Sequence, residues 1–543
     1  MAPRTYDYVV IGSGSAGAVM AARLSEDRNV SVLLVEAGPS DRHIYIRMPA
    51  ALGFPLMNDR FNWFYHSEPE PHLDNRTVHE SRGRVLGGSS SINGMNWVRG
   101  NPKDFDDWAA AGNAGWSYAD VLPYFRKAET FEAGPDAYRG GEGPVFVERC
   151  KARNPLYEAF LEAGVEAGLP LIEDHNAFRQ EGVHVTQRNV HRGIRCSTSQ
   201  AYLHAQPHKP NLTVLTQTRV TRIETSNKRA VRIHARTPAG EAAFDIGREV
   251  VLCGGALNSP QLLLLSGIGD AGDLKQAGVP LVEHLPGVGR GLKDHVAAPV
   301  QYVARKNVSP ARELSLLGRG KIGLQWLLFK NGIGATNFFE VGAFLRTRSS
   351  ETVPNIQLEF VPMIGELQHG NVKLENGFQY FLSLMRPQSE GRVWIESADP
   401  LAAPKFRFNY LERRDDLDQV VEAVKAIRTI VRQKAWDELR AEETTPGPSI
   451  ASDDDIRRWL RTAAGTNYHP CCTCRMGTGN DAVVDADGRV HGVEGLRVVD
   501  ASIMPEIVSG NLNAPVIMMA ERIAAVMRGQ TLPPDPQPYY KPA

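Results

Sequence analysis

The chain has 543 residues, a formal net charge of −1 from 61 basic and 62 acidic side chains, and six cysteines. Its length exceeds the roughly 250 to 300 residues that one hydrophobic core usually serves, so we expect two domains. The balanced charge provides no overall field to attract nucleic acid, and six cysteines are too few for a disulfide-dense secreted scaffold. From the balanced charge we expect no nucleic-acid partner.

No apolar run approaches the ~20 residues that span a bilayer. A strand-like run begins by Tyr8 without a charged leader or a cleavage site. These features predict a cytoplasmic protein that is not integral to a membrane. Because an amphipathic patch need not leave a linear signature, peripheral contact with the inner membrane stays open.

The N-terminal segment predicts a βαβ unit. Residues 9–11 and 32–35 form short apolar runs typical of buried parallel strands, and residues 16–26 between them suit a helix.

A glycine pattern occupies the turn between the first strand and the helix. Gly12, Gly14 and Gly17 give G-x-G-x-x-G, in which the first glycine permits the turn, the second admits a pyrophosphate and the third allows close helix packing. Glu36 ends the second strand, 19 positions after Gly17, where an acidic side chain accepts hydrogen bonds from a ribose. The unit predicts a dinucleotide site, with FAD and NAD both open.

Two further segments are suited to a cofactor. Residues 83–100, GRVLGGSSSINGMNWVRG, are rich in small side chains that would let the backbone approach a flat ring system. Residues 255–269, GALNSPQLLLLSGIG, begin as a polar turn and continue as an apolar helix, whose leucines core packing explains.

The middle of the chain alternates polar and apolar residues in NIQLEFVPM, FQYFLSLM, GRVWIESADP and KFRFNYL. This pattern predicts half-exposed antiparallel strands and a second domain built on them. After the acidic stretch RRDDLDQ, valines and isoleucines recur at helical spacing from Val420 to Val431, which predicts an amphipathic helix.

The stretch NYHPCCTCRMG, residues 467–477, combines His469 with three cysteines. Cys471 and Cys474 form C-x-x-C, a spacing found in zinc and dithiol sites. Zinc needs about four ligands, and the chain has no second paired motif. We expect no metal and no thiol chemistry here, and interpret the cysteines as packing residues.

Taken together, residues 83–97, residues 255–269 and the glycine pattern resemble the signature patterns of the glucose-methanol-choline (GMC) oxidoreductases. The likeness runs from Tyr8 to about Gly529. LGGSSSINGM, WSYADVLPYFRKAET and VHGVEGLRVVDASIMP look most like the bacterial choline-oxidising members. The resemblance implies FAD as the cofactor, an α/β Rossmann-like FAD-binding domain and an α+β substrate domain with an antiparallel sheet. The implied FAD domain comprises residues 1–155, 194–300 and 462–543, and the substrate domain comprises residues 156–193 and 301–461.

The resemblance also assigns the cofactor contacts. They are Gly12, Gly14, Ser15, Ala16, Gly17, Glu36, Gly87, Gly88, Ser91, Asn93, Gly94, Met95, Val220, Asp500, Ala501 and Asn513. Residues 87–95 would line the isoalloxazine, Val220 would meet the adenine, and Asp500 with Ala501 would lie near the pyrophosphate. Some relatives attach FAD through a histidine in the 87–95 loop. Ile92 stands at the matching position, so we expect noncovalent FAD.

Alcohol oxidation by a flavin requires removal of the hydroxyl proton and hydride transfer from the carbinol carbon to flavin N5. Histidine, with an ordinary pKa of about 6.5, suits the proton transfer. His469 stands where the family carries its catalytic histidine. Asn513, 44 residues later, matches the family's second position, which bonds the substrate oxygen, and its place before Ala514 and Pro515 also predicts a helix N-cap. His295 is expected to be structural.

Trp63, Phe338, Phe339 and Tyr468 are candidates for an aromatic cage around a quaternary ammonium, with core packing as the alternative. The segment ARELSLLGRGKIG departs from the choline-oxidising members. We therefore expect a small primary alcohol, either choline-like or neutral, with a hydroxy acid also open. A hydroxynitrile lyase and an NAD-dependent reductase are alternative functions. Homodimer formation and the identity of the electron acceptor, whether oxygen, a quinone or another carrier, stay open.

Overall fold

The computed structural model describes residues 4–207, 209–368 and 371–542. Its centre is two seven-stranded sheets with a cavity between them. In the first sheet the strands lie in the order Leu212–Leu215, Val32–Val35, Arg4–Ile11, Gly240–Leu252, Arg229–Thr237 and Arg219–Ser226, with Leu496–Val498 pairing with Gly240–Leu252.

The predicted βαβ unit is confirmed. Arg4–Ile11 pairs in parallel with Val32–Val35, and the helix Gly17–Leu24 connects the two strands. All four residues of Val32–Val35 are buried, as expected for a strand covered on both faces.

The second sheet is antiparallel throughout, as the alternating segments predict. Its order is Arg440–Thr445, Val296–Ala304, Gly377–Leu384, Ile356–Val361, Val341–Leu345 and Gly182–Val185, with Gly465–Thr466 pairing with Val296–Ala304.

The expectation that these strands are half-exposed is wrong for the central strand Ile356–Val361. Every residue of Ile356–Val361 is buried. One face packs against the helices Pro155–Glu166 and Arg414–Val431, and the other face closes the cavity. Because both faces of the strand are covered, its side chains are buried even where they are polar.

The predicted amphipathic helix is confirmed as Arg414–Val431, with Val420, Val424 and Ile427 buried. The other α-helices of the described residues are Ile44–Arg47, Gly53–Leu56, Pro102–Ala110, Tyr118–Ala128, Pro155–Glu166, Gly255–Leu265, Ala271–Gln276, Leu316–Phe329, Asp453–Ala463 and Asn513–Met527. None of the helices in the described ranges is long and apolar enough to cross a membrane.

Short strands complete the described fold. One three-stranded sheet joins Arg290–Leu292, Gly391–Trp394 and Lys405–Arg407. Its last two strands lie in the alternating segments GRVWIESADP and KFRFNYL, so both segments contain a strand as predicted. The others are Tyr65–His66 with His79–Glu80, Glu129–Phe131 with Val145–Arg149 and Gln187–Arg188, Val190–His191 with Ile194–Arg195, Ile268–Gly269 with Glu283–His284, and Ile364–Gln368 with Asn371–Glu375. The domain boundaries stay a prediction: Val296–Ala304 crosses the expected boundary at residue 300.

Candidate active site

A cavity of about 550 Å³ lies between the two large sheets. Ile11 and Leu252 line it from the first sheet, and Ala297, Glu359 and Phe381 line it from the second.

At one end of the cavity, backbone segments approach each other too closely for any side chain. Gly12 has φ of +92°, and a Cβ there would lie 2.5 Å from the Cys253 carbonyl oxygen. A Cβ on Gly17 would lie 1.8 Å from the Gly12 oxygen, and one on Gly88 would lie 2.6 Å from the Gly14 Cα. The glycine turn and the 83–100 loop therefore meet as bare backbone, which is the cradle that a pyrophosphate and a flat ring require.

Two buried carboxylates frame this end. Glu36 accepts hydrogen bonds from the Ser13 amide at 3.0 Å and from the Ser13 hydroxyl at 2.6 Å. Asp500 accepts from the Gly255 amide at 2.8 Å and from the Ser259 hydroxyl at 2.6 Å. Burial raises the pKa of both carboxyls, and these donors oppose the rise.

Asn513 does not act as the predicted N-cap. The helix Asn513–Met527 begins at this residue, Leu512 holds the N-cap position, and no side chain caps the helix. The Asn513 Oδ1 instead accepts from the Ser15 hydroxyl at 2.7 Å. Its Nδ2 is buried without a partner. An unpartnered buried donor beside the glycine cradle is a group that a bound FAD would satisfy, so the residues present fit this cofactor.

Most of the predicted cofactor residues lie on the cavity wall. They are Gly12, Gly14, Ser15, Ala16, Glu36, Gly88, Asn93, Gly94, Met95, Val220, Asp500, Ala501 and Asn513, together with Ile92. Gly17, Gly87 and Ser91 lie behind the wall. The Ser91 hydroxyl donates to the Leu86 carbonyl at 2.7 Å, so it braces the loop instead of facing the cavity.

His469 and His295 are brought together by strand pairing. Val296 lies opposite Thr466 in the second sheet, and Lys293 forms a bridge with Cys471. The two histidines fall between these paired positions, with their Nδ1 atoms 2.9 Å apart.

The hydrogen bonds assign the tautomers of both rings. His295 Nε2 lies 3.0 Å from the Val508 carbonyl oxygen, which can only accept, so this nitrogen carries the proton. Burial lowers the pKa of His295 to about 4, so its Nδ1 is an unprotonated acceptor. His469 Nδ1 must then donate to it, which leaves the His469 Nε2 as the unprotonated nitrogen of the ring.

Electrostatics keep His469 neutral. Burial, His295 and Arg82 lower the pKa of His469 well below 6.5. The His469 backbone amide donates to Asp294 Oδ1 at 2.7 Å, which fixes the direction of the residue. A neutral imidazole with an oriented lone pair at the cavity wall has the properties of a general base.

Asn511 is the amide next to His469, a residue that the sequence interpretation missed. Its Nδ2 lies 3.3 Å from the His469 Nε2, and its Oδ1 accepts from Gln357 Nε2 at 3.0 Å. Asn511 and Asn513 flank one leucine in the sequence NLN, so the signal was present, but position alone did not show which asparagine faces the histidine.

Glu359 was also missed. It lies in the strand Ile356–Val361 and lines the cavity. Its available signal was a lone acidic residue within the strand segment NIQLEFVPM.

Three of the four predicted cage residues line the cavity, and the cage itself stays a prediction. They are Trp63, Phe339 and Tyr468; Phe338 is not part of the lining, and its backbone carbonyl accepts from the Tyr157 hydroxyl at 2.9 Å. The Trp63 ring already lies against two guanidinium groups, Arg84 at 5.5 Å and Arg219 at 5.2 Å, which would repel a cationic ligand.

The cysteines of the 467–477 stretch are buried. Cys471, Cys472 and Cys474 are all unpaired, and the sulfurs of Cys471 and Cys472 lie 3.3 Å apart. Burial raises the pKa of the Cys471 and Cys474 thiols, which disfavours reactive thiolates. Among the described residues, no three His, Cys, Asp or Glu side chains group as metal ligands would.

Family models described as GMC oxidoreductase match residues 6–297 and 387–520. The chain therefore belongs to the GMC oxidoreductase family, as its sequence motifs predict. It is an FAD-dependent alcohol oxidoreductase, and the α/β fold with an antiparallel second sheet is that of the family.

Curated relatives extend over nearly the whole chain. The oxygen-dependent choline dehydrogenase of Yersinia pseudotuberculosis serotype IB is 48% identical over 531 residues, which cover 96% of this chain and 94% of the relative. The oxygen-dependent choline dehydrogenase of Burkholderia multivorans is 47% identical over 535 residues, covering 98% and 94%.

Solved structures agree in fold. Pyridoxine 4-oxidase from "Mesorbium loti" has a TM-score of 0.88 at 32% identity, covering 96% of this chain and 99% of that one. A formate oxidase variant from Aspergillus oryzae has a TM-score of 0.91 at 27% identity, covering 97% and 98%. These relatives do not favour the lyase or the NAD-dependent alternatives.

Proposed function

We propose that this enzyme oxidises a small primary alcohol to an aldehyde, with the His469 Nε2 as the base. The observation that carries the proposal is the chain of hydrogen bonds from Val508 through His295 to His469. This chain leaves His469 Nε2 as the unprotonated ring nitrogen at the cavity wall.

A bound FAD would supply the acceptor for the hydride that leaves the carbinol carbon. His469 Nε2 accepts the hydroxyl proton, and the resulting imidazolium keeps its Nδ1–H bond to His295. The Asn511 amide lies 3.3 Å from Nε2, to which it donates when no alcohol is bound, and it would turn this donation to the substrate oxygen when the alcohol enters. We retain Asn513 as a cofactor contact through its unpartnered Nδ2, and as a second candidate for the substrate oxygen.

The similarity to oxygen-dependent choline dehydrogenases makes choline a candidate substrate and oxygen a candidate acceptor. Neutral alcohols and hydroxy acids remain candidates too, because the Trp63 ring already lies against the guanidinium groups of Arg84 and Arg219. Quinones and other carriers remain candidate acceptors.

Three further assignments belong to this proposal. FAD is held without a covalent bond, since Ile92 occupies the loop position of the linking histidine. The division into an FAD domain and a substrate domain follows the ranges predicted from the sequence. The cytoplasm is the proposed location, which six unpaired cysteines support. Peripheral membrane contact and a homodimer stay open.

An anaerobic substrate panel tests the function. Purified protein, without added nicotinamide, would be mixed with choline, benzyl alcohol and glycolate while the flavin absorbance is recorded. We expect bleaching by at least one primary alcohol, with the aldehyde as product, and return of the colour when an acceptor is admitted. Failure of every alcohol in the panel to bleach the flavin would contradict the proposal, and flavin retained on acid-precipitated protein would contradict noncovalent binding.

A further inference from the structure

A second cavity, of about 290 Å³, is separate from the one that His469 lines. No described residue lines both cavities. The helix Ile44–Arg47 and the π-helical turn Ser199–His204 contribute to the wall of the second cavity. Of its described lining residues, Asp41 alone is acidic, whereas four are basic: Arg42, Arg47, Arg195 and His204. This excess of basic side chains indicates a ligand of negative charge.

Arg195 is the buried arginine of this group, with 2% of its surface exposed. Its Nε donates to the Ile46 carbonyl at 2.9 Å, and its Nη1 donates to the Asn93 carbonyl at 2.7 Å and to the Asn93 Oδ1 at 2.8 Å. A longer bond of 3.4 Å joins Nη1 to the Ser90 carbonyl. All these acceptors are neutral, and no carboxylate within the described ranges forms an ion pair with Arg195. Its Nη2 is buried and has no hydrogen-bond partner among the same residues.

The charge of Arg195 is therefore uncompensated. Burial lowers the pKa of Arg195 to about 9, which still leaves the guanidinium group protonated at neutral pH. A buried charge without a partner is costly, and its free N–H adds the cost of an unmade hydrogen bond. An anion in the cavity would relieve both costs.

Asp41 does not supply that anion. Its Oδ2 accepts from the Ser199 hydroxyl at 2.6 Å, and its Oδ1 lies 2.8 Å from the His204 Nε2. Arg42 and Arg47 are exposed, and neither forms an ion pair with another described residue. Both of these guanidinium groups therefore remain available to a ligand.

We propose that this second cavity binds a small oxyanion, such as inorganic phosphate, sulfate or a short carboxylate. The anion would accept hydrogen bonds from the Nη2 of Arg195 and from the guanidinium groups of Arg42 and Arg47. Guanidinium groups match the oxygen spacing of carboxylates and phosphates, and hydrogen bonds between charged groups are stronger than those between neutral ones. The site is distinct from the one proposed for the alcohol, so it does not depend on the proposed function.

Arg195 connects this site to the flavin cavity. Asn93, which accepts two hydrogen bonds from Arg195, lines the larger cavity and belongs to the 87–95 loop that is expected to meet the isoalloxazine. An anion that holds the guanidinium group in place would stabilise this loop. We therefore expect the anion to raise the temperature at which the enzyme releases FAD.

Phosphate binding to the FAD-loaded enzyme tests the site. Potassium phosphate would be titrated near neutral pH, with potassium chloride keeping the ionic strength constant, and calorimetry would record the heat of binding. In parallel, flavin fluorescence would report the temperature of FAD release. We expect saturable binding of a single phosphate, and a release temperature that rises with phosphate concentration because the ion binds the folded protein.

Variants that remove a charge locate the ion. Arg195→Gln should weaken phosphate binding at least about tenfold, because it removes the buried charge. Arg195 also braces the 87–95 loop, so a second variant is required that changes exposed side chains only. Arg42→Gln combined with Arg47→Gln should retain the flavin and weaken phosphate binding roughly three- to tenfold. Arg153→Gln, which alters an exposed arginine outside both cavity walls, should bind phosphate normally.

The absence of saturable phosphate binding in the unmodified enzyme would overturn the inference, as would an unchanged temperature of FAD release. Equal phosphate affinity in the unmodified enzyme and in the variant that lacks both exposed arginines would also overturn it, because the ion would then bind elsewhere. A loss of affinity in Arg153→Gln as large as in that double variant would show a general effect of surface charge and would count against this cavity.

Discussion

Replacing His295 by phenylalanine tests the tautomer assignment at the base. The ring shape is kept, but the acceptor for His469 Nδ1–H, now 2.9 Å away, is removed. A buried donor left without its partner costs about 1–3 kcal/mol. His469 can avoid this cost by moving its proton to Nε2, which removes the lone pair that accepts the substrate proton. The population of the competent tautomer, and with it kcat/KM for the alcohol, should fall by roughly five- to 150-fold.

Anaerobic stopped-flow flavin reduction by the alcohol measures this effect.

Two controls accompany this variant. His295→Gln retains a carbonyl acceptor and should recover part of the rate, and His72→Phe alters an exposed histidine and should change nothing. An unchanged rate of flavin reduction in His295→Phe would refute the assignment, because the proton on His469 would then not depend on His295.

Other predictions concern the cofactor and acid stability. In Gly12→Ala the new Cβ would lie 2.5 Å from the Cys253 carbonyl oxygen, so we expect the purified protein to carry no bound flavin. The ratio of flavin absorbance to protein absorbance measures this. A normal flavin content would contradict the role of the glycine turn as a cofactor cradle. Burial lowers the pKa of His175 and His295 to about 4 each, against about 6.5 when unfolded. Because the unfolded chain binds these protons more readily, the free energy of unfolding should be undiminished above about pH 6.5 and fall toward pH 4, as urea titrations would report. A midpoint that does not move between pH 7 and pH 5 would contradict this.

The features that the sequence predicted well are local ones. The glycine turn with its flanking strands, the helix Arg414–Val431 and the family motif around His469 each depend on residues close in the chain. Antiparallel strands were also predictable from alternation, but their burial was not, because it depends on which element covers the second face.

The surroundings of His469 could not be predicted in this way. His295, Glu359 and Asn511 come from three distant segments. Strand pairing places His295 and Glu359, whereas Asn511 lies just before the helix Asn513–Met527. The N-cap expectation for Asn513 failed for the same reason, since Ser15, 498 positions away, takes its side-chain oxygen. The aromatic cage stays a prediction, because sequence position does not specify side-chain direction, and Phe338 is the one of its four residues that does not line the cavity.

The most direct test of the account is His469→Ala. General-base catalysis contributes roughly 10²- to 10⁴-fold, so anaerobic flavin reduction by the alcohol should slow by about that factor while the FAD content stays normal. His491→Ala, which alters a histidine bonded to the Gly477 carbonyl outside the cavity wall, provides the matched control. Near-normal flavin reduction in His469→Ala would contradict the central claim that its Nε2 accepts the substrate proton.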